Sequence, residues 1–180
     1  MPKPVSDNDA ILRRTVLTTL GDLGDAATLA EARRRFALYQ ADSNSLAGAA
    51  RRTVLAIVAG AADAKTWDAI HQMAKASKDI TDRARLYGYL GSTDDPALAD
   101  RALAFSLSGE PSPTETPGII GAVSGQFPDK AYDFAIANRA KLETLIEPTR
   151  RTSYFTDLAT GSREPSMLEN QTYCNQSHGA

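Results

Sequence analysis

Arginine is the residue type whose number and spacing could do the most chemistry in this chain of 180 residues. Short arginine clusters recur along it: Arg13-Arg14, Arg33-Arg34-Arg35, Arg51-Arg52, Arg83 with Arg85, and Arg150-Arg151. A guanidinium group binds a carboxylate through two parallel hydrogen bonds, so arginines aligned on one edge of a fold could bind carboxylate ligands. A solvated helix face with acidic neighbours explains most clusters without a ligand, and we favour that interpretation at most positions.

Metal binding and nucleophilic catalysis find little support in the sequence. The two histidines are His71 and His178, and His71 falls at the edge of a predicted helix face. Cys174 and His178 are four residues apart, but a metal site needs three or four ligands and no others cluster nearby. The His-Glu-x-x-His, Gly-x-Ser-x-Gly and phosphate-loop patterns are all absent. We therefore assign no catalytic residue, metal ligand or cofactor to this chain.

Composition narrows the class of partner. The net charge of −2 gives no electrostatic case for nucleic acid or an acidic membrane as a partner. Hydrophobic residues make up 42% of the chain and aromatic residues 7%, and no apolar run is long enough to span a bilayer. The chain is long enough for one domain with a sizeable core. The compartment stays unassigned, and is expected to be cytoplasmic if the chain stands alone.

Glycines followed by acidic residues are the most regular pattern. They are Gly21 with Asp25, Gly60 with Asp63, Gly91 with Asp95, Gly125 with Asp129, and Gly161 with Glu164. We interpret each glycine as a left-handed helix end and each acid as the cap of the next helix. The steps of 31 to 39 residues are typical of helical repeats. The predicted fold is all-α, a HEAT- or armadillo-like superhelix of antiparallel hairpins forming one domain over residues 1–180.

Apolar spacing places the helices. Leu12, Val16 and Leu20 form one stripe on the first helix, which Ser6 or Asp7 could cap. Two regions are less regular. The stretch 108–117 has three prolines and is predicted to be a loop, followed by a short helix over 119–123. A longer helix is predicted from Pro128 through Leu145.

Several segments in order resemble a known family. The strongest is Arg85-Leu-Tyr-Gly-Tyr-Leu-Gly91, which continues through Asp95-Pro96 to Leu103. A second is Ala131-Tyr-Asp-Phe-Ala-Ile-Ala-Asn138, with Tyr132 where the family has tryptophan. Over roughly residues 10–168 the chain resembles the C-terminal helical domain of zinc aminopeptidases of the aminopeptidase N, puromycin-sensitive and endoplasmic-reticulum type.

The resemblance implies a non-catalytic domain of a larger enzyme. In such enzymes the domain folds over the catalytic domain, encloses the peptide chamber, and assists substrate selection and open–closed movement. Zinc belongs to the catalytic domain, which could lie on the same or a separate chain. Ser166-Met-Leu-Glu-Asn170 only superficially resembles the family's exopeptidase loop, and we treat it as coincidence. The implied peptide-contacting residues are Arg51, Arg52, Arg85, Arg150 and Arg151.

Two other functions stay open. A free-standing helical-repeat adaptor could bind a protein or peptide on its concave face. A helical nucleic-acid binder could use the arginine clusters, although the net charge of −2 argues against it. Whether this chain alone counts as an enzyme stays undecided, and a preceding His-Glu-x-x-His reading frame in the genome would favour the aminopeptidase fragment.

Overall fold

The computed structural model describes residues 7–164, which fold into ten α-helices without a β-strand. The helices are α1 Asp7–Asp22, α2 Ala26–Ala41, α3 Gly48–Gly60, α4 Ala64–Ala76, α5 Ile80–Gly91, α6 Pro96–Ser106, α7 Thr116–Ser124, α8 Pro128–Ala137, α9 Arg139–Leu145 and α10 Arg151–Leu158. The prediction of an all-α fold is confirmed. No helix in this range is long and apolar enough to cross a membrane.

The odd-numbered helices form a continuous row. Helix α3 packs on α1 and α5, and α5 packs on α3 and α7. The connecting helices α2, α4 and α6 each pack on the odd helix that follows them, and α8 packs on α7 and α10. One core runs between these helices, and its fully buried members include Leu55, Trp67, Ile70, Leu90, Ile120 and Leu142. The row therefore presents an extended surface rather than a closed globule of helices.

The predicted caps are confirmed at three corners. Asp25, Asp63 and Asp95 accept hydrogen bonds from the backbone N–H groups of Thr28, Thr66 and Ala97 at 2.8, 2.8 and 2.7 Å. Each bond satisfies an N–H group that the first turn of a helix leaves without a partner. At the fourth corner the prediction is wrong, because Phe127 precedes α8 and Asp129 lies inside its first turn.

The explanation given for the glycines is wrong at four of the five corners. Gly161 alone has a left-handed backbone, with φ of 99°, while the others end helices without positive φ. Close helix packing explains two of them instead. A methyl group at Gly21 would lie 2.9 Å from Ile57 Cγ2, and one at Gly91 would lie 2.6 Å from the carbonyl oxygen of Ile119. Gly21 and Gly91 thus let α1 approach α3 and α5 approach α7.

The helix from Pro128 to Leu145 is divided in two. The backbone breaks at Asn138, whose side-chain amide donates a 2.8 Å hydrogen bond to the carbonyl of Phe134. That bond competes with the helical hydrogen bonds, as asparagine side chains commonly do. The proline-rich loop is shorter than predicted because α7 begins at Thr116. The notebook of residues Ser6, Ser166–Asn170, Cys174 and His178 lies outside the described range.

Candidate functional site

Arg51, one of the predicted peptide-contacting arginines, is used within the fold. Its guanidinium donates to both carboxylate oxygens of Asp82, at 2.5 and 3.0 Å, and to the hydroxyl oxygen of Tyr39 at 2.8 Å. The contacts join α3 to α5 and α2, and only 19% of the arginine side chain is exposed. The hydrogen bonds from Arg51 lower the pKa of Asp82 despite its partial burial. A peptide carboxylate would have to compete with Asp82 for this guanidinium.

Arg52 and Arg85 lie beside this ion pair. Arg85 Nη1 is 3.7 Å from Asp82 Oδ1, and both arginines are exposed. The hydroxyl of Tyr89 donates a 3.3 Å hydrogen bond to the backbone carbonyl of Arg52. The structure therefore brings three of the five candidates together where α3 and α5 begin. Within residues 7–164 the Arg52 side chain has no ion-pair partner.

Arg150 and Arg151 lie apart from that cluster, before and at the start of α10. Arg151 Nε donates a 3.2 Å hydrogen bond to the carbonyl of Ile146. Arg150 is exposed and lines a groove of about 620 Å³ between α7 and the segment 145–158. Gly118 and Gly121 lie along the α7 side of this groove, with open space where a side chain would start. A ligand could therefore come close to the α7 backbone near a charged guanidinium.

A second groove, of about 380 Å³, lies between α1, α2 and α3. Its apolar lining includes Leu17, Ala32 and Val54, and Arg13 and Arg14 also line it. Glu31 also borders the groove, but its carboxylate pairs with Arg34 and Arg35, both at 2.7 Å. That pairing confirms the sequence-based interpretation of the cluster at 33–35 as an ion-paired helix face. It also lowers the pKa of Glu31 to about 2 through the hydrogen bonds from Arg34 and Arg35.

His71 packs into an aromatic cluster on α4. Its Nε2 lies 2.6 Å from Glu110 Oε1, and the Tyr87 hydroxyl donates to the same oxygen at 3.1 Å. The rings of Phe105 and Trp67 lie 4.8 and 5.4 Å from the imidazole. Burial, with the hydrogen bond to Glu110, raises the pKa of Tyr87 to about 12. These contacts tie the loop after α6 to α4 and α5.

A buried carboxylate anchors the same loop at its other end. The Glu115 side chain is 3% exposed, accepts a 2.7 Å hydrogen bond from the Ser112 backbone, and pairs with Arg83 at 3.0 Å. Sequence reasoning missed Asp82, Glu110 and Glu115, because each partner lies 23 to 39 residues away along the chain. Among residues 7–164 no three His, Cys, Asp or Glu side chains are arranged to hold a metal ion.

We expect the Arg51–Asp82 pair to couple by about 2 kcal/mol, as hydrogen bonds to charged groups typically do. Arg51→Ala, Asp82→Asn and the double variant, unfolded in urea, would measure this coupling. The matched control is the exposed pair Lys130–Asp100, expected to couple by less than about 1 kcal/mol. Equal coupling in the two pairs would contradict the structural role given to Arg51.

The same pair predicts a dependence of stability on pH. The pKa of Asp82 is lowered in the folded protein, so its contribution is complete above its unfolded value of about 3.9 and is lost as the pH falls through the folded value. Urea unfolding of the wild type and Asp82→Asn from pH 7 to pH 3 should therefore show converging free energies. A constant difference across that range would refute the assignment.

The packed row of helices, the charged pairs that join them and the two open grooves define an all-helical domain that offers surfaces for binding. The sequence model of the ERAP1-like C-terminal domain matches residues 1–170. The chain therefore belongs to the ERAP1-like C-terminal domain family, found in aminopeptidases of the M1 type. Aminopeptidase M1 from Arabidopsis thaliana is 34% identical over 107 residues. The match covers 57% of this chain and 12% of that relative, so the chain spans only a small part of its length.

Proposed function

We propose that this chain is the non-catalytic C-terminal domain of a zinc-dependent aminopeptidase and forms one wall of the chamber that encloses the peptide substrate. The catalytic domain, on the same or a separate chain, would hold the zinc ion and cleave the peptide. Family membership over residues 1–170 supports this proposal. The wall would exclude water, limit the length of peptide that fits, and move between open and closed positions.

The row of helices supports a superhelical wall. Helices α1, α3, α5 and α7 pack one on the next, and the close approaches at Gly21 and Gly91 occupy corresponding places two helices apart in that row. We propose that this repetition continues as a HEAT- or armadillo-like superhelix. Such a superhelix presents a long concave surface, which suits an extended peptide.

The groove beside Arg150 carries the proposal of peptide contact. Among the described residues Arg150 has no side-chain hydrogen bond or ion pair, in contrast to Arg51, whose guanidinium is occupied by Asp82. An unpaired guanidinium at the mouth of a groove could bind the C-terminal carboxylate of a peptide. Gly118 and Gly121 leave space beside it for the peptide backbone. Arg150 is therefore the candidate we rank above the other four.

Binding of a labelled apolar nonamer to the purified chain tests this contact by fluorescence anisotropy. We expect Arg150→Ala to raise Kd about tenfold, because a charge-assisted hydrogen bond at a partly open site is worth about 1.4 kcal/mol. A nonamer with a C-terminal amide should bind the wild type equally weakly and lose nothing more in Arg150→Ala. The control Lys65→Ala removes an exposed cation elsewhere and should leave Kd unchanged. Equal binding of acid and amide would contradict the proposal.

A further inference from the structure

Helix α1 carries an apolar stripe that the described part of the chain leaves exposed. The sequence predicts Leu12, Val16 and Leu20 as one stripe, yet their exposed fractions are 63%, 48% and 37%. Leu23, just after the helix, continues the stripe and is 78% exposed. Four apolar side chains in one line are more than the scattered exposure that is normal for a protein surface.

The stripe is separate from the face of α1 that packs on the rest of the domain. Leu17 and Gly21 lie on the packed face, where Gly21 meets Ile57 of α3. With 3.6 residues per turn, the four apolar side chains fall within about 80° of arc, centred about 120° from the packed face. A helix with two apolar faces so arranged is typical of one that has a neighbour on each side.

The polar residues around the stripe suit an apolar partner. Thr15 and Thr18 donate their hydroxyl hydrogens to the carbonyls of Ile11 and Arg14 within α1, at 3.1 and 3.0 Å. Those hydroxyls therefore already have acceptors and need none from a ligand. Since no cation lies within the stripe itself, it is poorly suited to an acidic peptide or to nucleic acid. Another amphipathic helix is the occupant whose chemistry fits.

Continuity of the row indicates where that helix belongs. Helices α3 and α5 each pack between two odd-numbered neighbours, whereas α1 has one such neighbour within residues 7–164. We propose that the stripe on α1 docks an amphipathic helix of the aminopeptidase polypeptide, contributed by the portion preceding the segment that matches this chain, and that this helix extends the row by one member. This inference rests on the proposed function, since it takes the partner from the parent enzyme.

The size of the stripe favours a tethered partner over a second copy of this chain. Helix α1 has 16 residues, so one face measures about 24 Å by 10 Å. A contact between two such faces stays far below the roughly 1,200 Å² of total area that stable complexes bury. A helix on the same polypeptide needs no such area, because its effective concentration is already millimolar or higher.

Thiol labelling tests the docking in a fusion protein. The portion of the Arabidopsis aminopeptidase M1 that precedes its matching segment is fused to the start of this chain, and both the fusion and the isolated chain carry Cys174→Ser. Leu12→Cys then places one thiol in the stripe. Ile80→Cys is the matched control, because Ile80 is 69% exposed and lies on α5 rather than α1. Maleimide labelling at each position is followed by mass spectrometry of the digested protein.

We expect labelling at position 12 to be at least tenfold slower in the fusion than in the isolated chain, with no change at position 80. Equal rates at position 12 would overturn the inference. Sedimentation that finds the isolated chain as a dimer, lost in Leu12→Glu, would also overturn it, because the occupant would then be a second copy.

A second variant is independent of whether the fusion folds. In the isolated chain, Leu12→Glu with Val16→Glu should leave the free energy of unfolding within about 0.5 kcal/mol of wild type, as substitutions at exposed positions do. A large destabilisation would mean that the stripe is covered within the chain itself, and would overturn the inference. Neither measurement involves the groove at Arg150, so failure of peptide binding would leave both results unaffected.

Discussion

Gly91→Ala is expected to lower the free energy of unfolding by about 3 kcal/mol, the upper part of the range for overpacked cores. The added methyl group would lie 2.6 Å from the carbonyl oxygen of Ile119 and 3.0 Å from the Ala122 side chain. The first of these contacts is with backbone, which cannot rotate away as a flexible side chain can. Helices α5 and α7 would therefore have to separate, and urea unfolding measures the cost.

Gly88→Ala is the matched control for this prediction. Gly88 lies one turn earlier in α5, and a methyl group there meets nothing within 4 Å. Alanine favours a helix by about 1 kcal/mol over glycine, so this variant should be more stable than wild type. The two substitutions are chemically identical and should have opposite signs. A stabilising Gly91→Ala would show that α5 and α7 are not in the close contact described.

Trp67→Ala is expected to cost about 4 kcal/mol, as truncation of a buried aromatic side chain usually does. Trp67 is 2% exposed, and its Nε1 donates a 3.0 Å hydrogen bond to the carbonyl of Leu90 at the end of α5. Its ring also meets Phe105 edge to face, with the Arg101 guanidinium 3.9 Å above it. The single side chain thus joins α4, α5 and α6.

Trp67→Phe separates the hydrogen bond from the packing. Phenylalanine keeps most of the apolar contact but leaves the Leu90 carbonyl without its donor, which should cost about 1–3 kcal/mol. Thermal and urea unfolding of both variants should rank them in that order. If Trp67→Ala cost less than Trp67→Phe, the ring would not be part of the core that joins these helices.

Local patterns in the sequence predict the helix starts well. Asp25, Asp63 and Asp95 cap helices as expected because capping involves only residues two or three positions apart. The core positions Trp67 and Ile70 follow from helical spacing and are almost fully buried. The break at Asn138 was missed because the same apolar spacing continues across it, and only a side-chain hydrogen bond to Phe134 divides the helix.

Contacts between distant residues could not be predicted. Arginine clusters draw attention to Arg51, but its spacing says nothing of Asp82, which lies 31 residues away and occupies the guanidinium. The apolar stripe on α1 is a different case, since the pattern was found and its burial was assumed. Spacing identifies an apolar face of a helix, but it does not identify the neighbour that covers it. Arg150 and its groove likewise depend on how α7 meets the segment before α10.

The close approaches at Gly21 and Gly91 also affect how homologous sequences should be compared. Any side chain at these two positions meets a neighbouring helix within van der Waals distance, at Ile57 and at Ile119. Selection would therefore keep both glycines without any role in substrate binding. Invariant glycines here would record how near two helices lie, whereas variation at Arg150 or along the α1 stripe would record changes in peptide or partner.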